Sequence, residues 1–178
     1  MKICNPLLGL TIGVLSTASI SDICNLQKAT AQSVIINNYQ EPACGKSFTG
    51  TYLTTIKDTK GKFSSRGLIT LTKEGNFIVS DSNQGGISGK FNPFTTAQGT
   101  WVCTGKNSIA ARAIDFSFSN RGGTGIARID YTATFDPKTQ TVQGKISLRL
   151  FELQANPLSG NGQDGGTSFF TGKFVTAK

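Results

Sequence analysis

The sequence predicts an all-β protein whose fold is an eight-stranded antiparallel up-and-down barrel. After residue 31 no segment has helical apolar spacing, and short runs rich in β-branched and aromatic residues recur between turn residues. Eight strands joined locally favour a barrel, because closure removes both unpaired edges of an open sheet. The predicted strands span 48–56, 66–72, 77–81, 98–104, 108–119, 124–135, 140–152 and 167–176.

The boundaries of these strands follow from turn-forming residues. Four short Gly-, Asn-, Asp- or Pro-containing segments each separate two apolar runs. They are KEGN at 73–76, TGKN at 104–107, NRGG at 120–123 and DPKT at 136–139. The remaining boundaries are longer polar stretches, at 57–65, 82–97 and 154–167.

The lengths of the connections predict that the two ends of the barrel differ. In an up-and-down barrel, alternate connections share one end. The connections 73–76, 105–107 and 136–139 are all short and share one end, whereas the long stretches at 82–97 and 154–167 share the other. We therefore expect a closed end and a mouth lined by loops, where binding sites usually lie.

The first 31 residues resemble a signal peptide. Met1 and Lys2 form a short basic start, residues 6–20 are apolar but too short to span a bilayer comfortably, and Ala29-Thr30-Ala31 is a small-residue cleavage site. This predicts export to the periplasm or the medium. An amphipathic or single-pass anchor is the alternative. The predicted organisation is a signal peptide at 1–31, an N-terminal extension at 32–47 and a barrel at 48–178.

The cysteines are consistent with an exported protein. Cys4 and Cys24 would leave with the signal peptide, so Cys44 and Cys103 remain as an even pair that predicts a disulfide. Cys44 lies just before the first predicted strand and Cys103 near the end of the fourth, both at the predicted closed end, and these two strands are not neighbours. The bridge therefore requires the N-terminal extension to cross beneath the barrel and close its base. Two unrelated buried thiols are the alternative.

The chain contains no histidine, which excludes Ser-His-Asp and Cys-His catalysis and His-ligated zinc or haem iron. With both remaining cysteines oxidised, thiolate chemistry is disfavoured too. An enzyme of this sequence would have to use Asp, Glu, Tyr, Lys or Arg. We predict no catalytic residue, no metal and no cofactor.

The positive charge of the chain favours solubility over a specific anionic partner. Without residues 1–31 the chain keeps 16 basic and 9 acidic residues, a formal charge of +7. Many lysines fall in predicted turns, where they protect strand edges, and they are not interleaved with aromatic residues as in a nucleic-acid site. We expect no nucleic-acid partner. Weak contact with an anionic polysaccharide or membrane surface is the alternative.

Aligning the predicted strands by their turns gives a register. Phe135 is placed opposite Val142, and Phe118 opposite Gly125. This register collects large apolar side chains on one face, which we expect to be the interior, and a one-residue slip would scatter them. The collected residues are Ile114, Phe116, Phe118, Ile129, Tyr131, Phe135, Ile146, Leu148 and Leu150.

The same register predicts an outer ladder of charges. It places Asp115 beside Arg128 and Asp130 close to Arg149, which is favourable by a few tenths of a kcal/mol per pair. Solvent exposure accounts for such a ladder. An active site or an oligomer contact is the alternative; the sequence does not specify an oligomeric state.

Arg112 is predicted to point inward, opposite Tyr131. A buried guanidinium needs an anionic partner, and the carboxylate of an apolar ligand would supply one, with Tyr131 as a second donor. The alternatives are a bulge that turns Arg112 outward, or a partner in the N-terminal extension, such as Glu41. Tyr52 and Trp101 are further inward candidates, for ligand binding or for core packing.

The predicted barrel resembles the calycin barrels, which include lipocalins and fatty-acid-binding proteins. GTY at 50–52 resembles the lipocalin G-x-W of the first strand, with Tyr52 in the place of tryptophan, and GTW at 99–101 repeats the pattern on the fourth strand. An inward Arg112 and Tyr131 would be similar to the carboxylate site of fatty-acid-binding proteins. Allene-oxide-cyclase and dirigent barrels are a second resemblance.

The expected function is therefore the binding of a small apolar or amphiphilic ligand inside the barrel. Two alternatives remain. One is a barrel-type isomerase or cyclase, which needs a carboxyl group inside the barrel. The other is a cell-surface adhesion or assembly module with a filled barrel and an exposed apolar patch.

Overall fold

The computed structural model describes Cys44 and residues 48–89, 92–119 and 124–177. The predicted signal peptide and most of the predicted extension lie outside these residues. Within them the chain forms strands and turns, without a helix. The strands are β1 (Gly50–Lys57), β2 (Phe63–Leu71), β3 (Asn76–Asp81), β4 (Ala97–Gly105), β5 (Ser108–Phe118), β6 (Thr124–Asp136), β7 (Thr141–Glu152) and β8 (Gln163–Phe174).

The eight strands form one closed barrel in sequence order. Each strand pairs antiparallel with the next, and β8 pairs with β1, which confirms the predicted fold class. Closure leaves no strand edge unpaired along the wall. The part of the chain that is described contains no helix long and apolar enough to cross a membrane.

The two ends of the barrel differ as the connection lengths predict. Short turns join β2 to β3, β4 to β5 and β6 to β7 at one end. In the last of these, Asp136 Oδ1 accepts hydrogen bonds from the backbone N–H groups of Lys138 and Thr139, and Gln140 adopts a positive φ of 55°. The β3–β4 and β7–β8 connections, 82–96 and 153–162, lie at the other end, which is the mouth.

Aromatic side chains fill the closed end. Phe48 is 1% exposed, and its ring stacks on that of Phe135 with centroids 4.7 Å apart. Tyr52 packs edge-on against Phe135 and donates a hydrogen bond to the carbonyl of Phe48 at 3.2 Å. Full burial of a phenylalanine such as Phe48 contributes about 2–3 kcal/mol. Phe48, two residues before β1, therefore helps to close the base.

The predicted disulfide is present between Cys44 and Cys103, whose Cα atoms are 6.0 Å apart. It ties the segment before β1 to β4. Strands β1 and β4 do not pair in the barrel. The bridge and the buried Phe48 agree with the expected closure of the base. The other residues of the predicted extension, 32–43 and 45–47, lie outside the described part.

The register between β6 and β7 matches the prediction. Phe135 lies opposite Val142, and Tyr131 lies opposite Ile146. Alternate residues of both strands face the interior, as the apolar pattern requires. The tight turn at the closed end holds this pair of strands in register.

The predicted register between β5 and β6 is wrong by one residue. Phe118 pairs with Thr124 instead of Gly125, so Arg112 pairs with Asp130 and not with Tyr131. A slip of one residue turns every side chain of a strand to the other face. Phe116 and Phe118 are consequently exposed on the outer wall, with 45% and 44% of their surface accessible.

A charged cluster occupies the outer wall, although its members differ in part from the prediction. Asp130 accepts hydrogen bonds from Arg112 Nε at 2.5 Å and Arg128 Nε at 3.1 Å. Arg128 lies opposite Arg149, and the second carboxylate of the cluster is Asp164, 3.7 Å from Arg149. Asp115 takes no part in it, because it faces the interior.

Candidate functional site

The mouth half of the barrel contains a partly open cavity of about 510 Å³. The closed half is filled by the aromatic residues described above, so the cavity occupies only the part of the interior that faces the long loops. Its apolar wall comes from β1, β3, β6 and β7. The main contributors are Ile56, Val79, Ile129, Ile146, Leu148 and Leu150.

Tyr131 forms the boundary between the filled half and the cavity. Its ring packs edge-on against Phe77 and Phe170, with centroids 4.9 and 5.9 Å away, and its surface is 5% exposed. It also lines the cavity. Burial raises the pKa of the Tyr131 hydroxyl, and the carboxylates of Asp81 and Asp115 raise it further. Tyr131 is thus a neutral hydroxyl at any physiological pH.

Asp115 is a buried carboxyl group in the wall of this cavity. It is 4% exposed, and its Oδ1 has no hydrogen-bond partner within the part of the chain that is described. Burial raises the pKa of Asp115 to about 7, because desolvation disfavours the charged form. The carboxyl group therefore changes between its protonated and ionised forms close to neutral pH.

Asp81 is a second carboxylate at the cavity, and its oxygens are satisfied. Its Oδ2 accepts a hydrogen bond from the Ser65 hydroxyl at 2.9 Å, and its Oδ1 accepts one from the Asn83 backbone N–H at 2.8 Å. Both partners also line the cavity. The site therefore contains one satisfied carboxylate and one carboxyl group with an unpaired oxygen.

The inner face of β5 explains why a carboxyl group enters the cavity. Ala111 lies between Trp101 of β4 and Tyr131 of β6 in adjacent pairs, so a small side chain separates two large rings. Barrel interiors commonly alternate small and large residues in this way. Since every second residue of β5 faces inward, Ala113 and Asp115 continue the inner row toward the mouth.

The four predicted ligand residues fall in three places. Tyr131 lines the cavity as expected. Arg112 lies on the outer wall, with 46% of its side chain exposed, which corrects the expectation of an inward guanidinium that binds a carboxylate. Tyr52 and Trp101 point inward but belong to the filled closed end, where the Trp101 indole N–H donates to the Thr72 carbonyl at 3.0 Å.

Most polar residues of the cavity were not predicted, among them Asp115, Asp81 and Ser65. The orientation of Asp115 could not be read from the β4–β5 turn. Gly105 pairs with Ser108, but a bulge between Cys103 and Gly105 shifts the register by one residue. Without this shift the turn would pair Trp101 with Arg112, whereas with it Trp101 pairs with Ala111, whose inward face Asp115 shares. Nothing in the sequence distinguishes Asp81 or Ser65 from ordinary rim residues.

A larger depression, of about 900 Å³, lies on the outside of the barrel near the closed end. Exposed residues such as Leu53, Arg66 and Lys173 border it. None of its described lining residues is a buried ionisable group, so the internal cavity is the better candidate site. Among the residues that the structure describes, no group of three or more His, Cys, Asp and Glu side chains could hold a metal ion.

Comparison with known proteins adds no relative. No protein-family model matches the sequence, and no match was found among curated proteins or solved structures. The closed eight-stranded antiparallel barrel is consistent with a calycin-like fold, and this likeness rests on the architecture alone.

Proposed function

We propose that the protein binds a small molecule with an apolar body and one polar group in the mouth half of the barrel. The observation that carries this proposal is the cavity itself: about 510 Å³ of space with both an aliphatic wall and polar side chains, at the end with the long loops. Pockets of this size and character usually bind small ligands. The polar contact comes from Asp115 and Tyr131, in place of the Arg112 anchor expected from the sequence.

The energetics of the cavity favour an amphiphilic ligand. A ligand that buries roughly 200 Å² of apolar surface gains about 5 kcal/mol from the hydrophobic effect, which offsets the loss of translational and rotational freedom on binding. The unpaired Oδ1 of Asp115 disfavours a purely apolar ligand, because it would stay without a hydrogen bond. A ligand that satisfies this atom is therefore preferred.

Titration with the neutral fluorescent probe N-phenyl-1-naphthylamine tests the proposal. We expect saturable binding of one probe per barrel, with the enhanced emission of an apolar site. Ile146 faces the cavity, so Ile146→Trp fills space and should abolish the signal. Leu68→Trp is the control, since Leu68 is on the outer wall and 43% exposed. Equal binding by both variants would contradict an internal site.

A second candidate function is proton-transfer catalysis by a barrel-type isomerase or cyclase. The observation that favours it is Asp115, a carboxyl group buried beside the cavity with a pKa of about 7, which is suited to general acid–base catalysis at neutral pH. Conversion of 3-cyclohexenone to the conjugated 2-isomer is a simple assay. Asp115 would remove the C2 proton and return a proton to C4. Loss of activity in Asp115→Asn supports catalysis; equal rates with and without the protein refute it for this reaction.

We also propose export to the periplasm or the medium. The signal-like residues 1–31 support it, and the Cys44–Cys103 disulfide suits an oxidising compartment. Amino-terminal sequencing of the secreted protein tests it, with Gln32 expected as the first residue. An intact amino terminus on a cytoplasmic protein would contradict it.

A further inference from the structure

We infer that the ligand is a protonated amine with an apolar body, whose ammonium group binds Asp115 while its body lies along the aliphatic wall. This inference rests on the proposed binding function and adds the chemical class of the ligand. Three features of the cavity support it: the unpaired oxygen of Asp115, the sign of the charges around the cavity, and the absence of a basic side chain from its described lining.

The first feature is the Oδ1 atom of Asp115. An ionised carboxylate only accepts hydrogen bonds, so a ligand that pairs with it must bring a donor. An ammonium group brings three N–H donors and a positive charge, and charge-assisted hydrogen bonds are roughly twice as strong as neutral ones. Asp115 is only 4% exposed, so few water molecules compete for this contact.

The second feature is the charge around Asp115. Besides Asp115, the ionisable groups that line the cavity within the described part of the chain are Asp81 from β3 and Tyr131 from β6. The lining residues contributed by β1, β2, β4, β7 and β8 carry no ionisable side chain. The cavity is therefore acidic, and it repels anions and attracts cations.

The third feature is the location of the arginines on β5 and β6. Arg112 and Arg128 both point to the outer wall, where they share Asp130. Among the described lining residues there is no lysine or arginine that could neutralise Asp115 from within the cavity. A buried carboxylate without a partner is costly, and a cationic ligand removes that cost.

The competing ligand class is a neutral hydrogen-bond acceptor, such as a ketone, to which a protonated Asp115 would donate. The two classes have opposite dependence on pH. Burial raises the pKa of Asp115 to about 7 in the free protein. An amine binds the ionised form, so its affinity rises with pH through this value and binding below it releases a proton. A neutral acceptor binds the protonated form, so its affinity falls over the same interval.

Calorimetric titration with 1-octylamine, 1-octanol and octanoate separates these cases, because each probe has a linear chain of eight carbon atoms and they differ in the charge of the polar group. We expect octylamine to bind best at about pH 8.5 and roughly thirtyfold more weakly at about pH 5.5, while the amine, with a pKa of about 10, stays protonated throughout. Proton release at the lower pH should appear as a dependence of the measured heat on the buffer. Octanoate should not bind detectably.

Two isosteric variants complete the experiment. Asp115→Asn should reduce octylamine affinity to that of octanol and remove the pH dependence. Asp130→Asn removes a carboxylate from the outer wall instead. This variant should keep the octylamine affinity and its pH dependence unchanged. If octanol binds as well as octylamine, or if octylamine affinity does not rise with pH, the amine inference is overturned while cavity binding stands. If none of these probes nor N-phenyl-1-naphthylamine binds, the proposed function itself fails.

Discussion

Arg112 and Asp130 form an ion pair across β5 and β6 on the outer wall, with Nε and Oδ1 2.5 Å apart. Nearly half of the Arg112 side chain is exposed, and pairs of this kind contribute little to stability. We therefore expect Arg112→Ala to lower the free energy of unfolding by less than about 1 kcal/mol in urea titrations. Ligand-probe binding should not change, and a loss of binding in this variant would contradict the outward orientation.

Arg128 shares the same aspartate but is largely buried, with 11% of its side chain exposed. Its Nη1 donates to the carbonyls of Pro157 and Gly160 at 2.8 and 2.9 Å, and its guanidinium lies 5.4 Å from the centre of the Phe151 ring. It thus holds the β7–β8 loop against the barrel wall. We expect Arg128→Ala to lower the free energy of unfolding by about 2–3 kcal/mol.

Hydrogen exchange checks this role of Arg128. The amides of the loop, residues 153–162, should exchange faster in Arg128→Ala while those of the barrel strands keep their protection. Arg149→Ala is the control, because Arg149 forms a 3.7 Å pair with an exposed Asp164 instead of hydrogen bonds to the loop carbonyls. Equal exchange in both variants would argue that the loop is held by other contacts.

The carboxyl group of Asp115 makes stability depend on pH. Its folded-state pKa of about 7 is above the ordinary value of 3.8, so the folded state binds a proton more tightly than the unfolded state does. The contribution of this group is most favourable below about pH 4 and is lost as the pH rises through 7. At pH 8 the ionised group should destabilise the fold by a few kcal/mol, since each pKa unit corresponds to about 1.4 kcal/mol.

Asp115→Asn removes this charge while keeping the shape of the side chain. The variant should therefore gain stability relative to the wild type between about pH 4 and pH 7, and the gain should be constant above that interval. Urea denaturation at several pH values measures the difference. A gain that is equal at pH 4 and pH 8 would show that Asp115 does not titrate abnormally.

Substitution of Trp101 tests whether packing in the closed end affects ligand binding in the cavity. The Trp101 indole is 2% exposed and donates to the Thr72 carbonyl, so Trp101→Phe removes a buried hydrogen bond and leaves space in the core. We expect a loss of about 2–4 kcal/mol in the free energy of unfolding. Binding of the fluorescent probe should persist with similar affinity, because Trp101 does not line the cavity. Loss of probe binding at full folding would contradict this separation.

Much of the fold could be predicted because its signals are local. The Asp136 turn holds β6 and β7 in register, and the alternation from Tyr131 to Phe135 identifies their inner face. Long connections could be distinguished from short ones by counting residues. These features need no knowledge of distant contacts, which is why the barrel, its two ends and the Cys44–Cys103 bridge were all accessible from sequence.

The candidate site was harder to predict because β5 is apolar on both faces. Its outer positions carry Phe116 and Phe118, whereas its inner positions carry Ala111 and Ala113, so the larger residues indicate the wrong face. The small inner residues are required by the bulk of Trp101 and Tyr131 beside Ala111. That requirement is visible only once β4, β5 and β6 are placed side by side. The resulting one-residue error in the β5 register placed Arg112 inside the barrel, where the structure has Asp115.

The disulfide should stabilise the closed end without affecting the cavity. Cys44 and Cys103 are 59 residues apart, and closing a loop of this length restricts the unfolded chain by about 4 kcal/mol on the entropic model. The bridge also anchors the chain just before Phe48, whose ring packs on Phe135. Replacing both cysteines with serine should therefore lower the free energy of unfolding by about 2–4 kcal/mol, measured in urea.

The same variant separates stability from function, because the bridge and the cavity lie at opposite ends of the barrel. Cys44→Ser/Cys103→Ser protein that is kept folded at low temperature should still bind N-phenyl-1-naphthylamine with one site per barrel. Addition of a reductant should destabilise the wild type to the level of the variant and leave the variant unchanged, which controls for the serine substitutions. A variant as stable as the wild type would show that the packing of Phe48 alone holds the base closed.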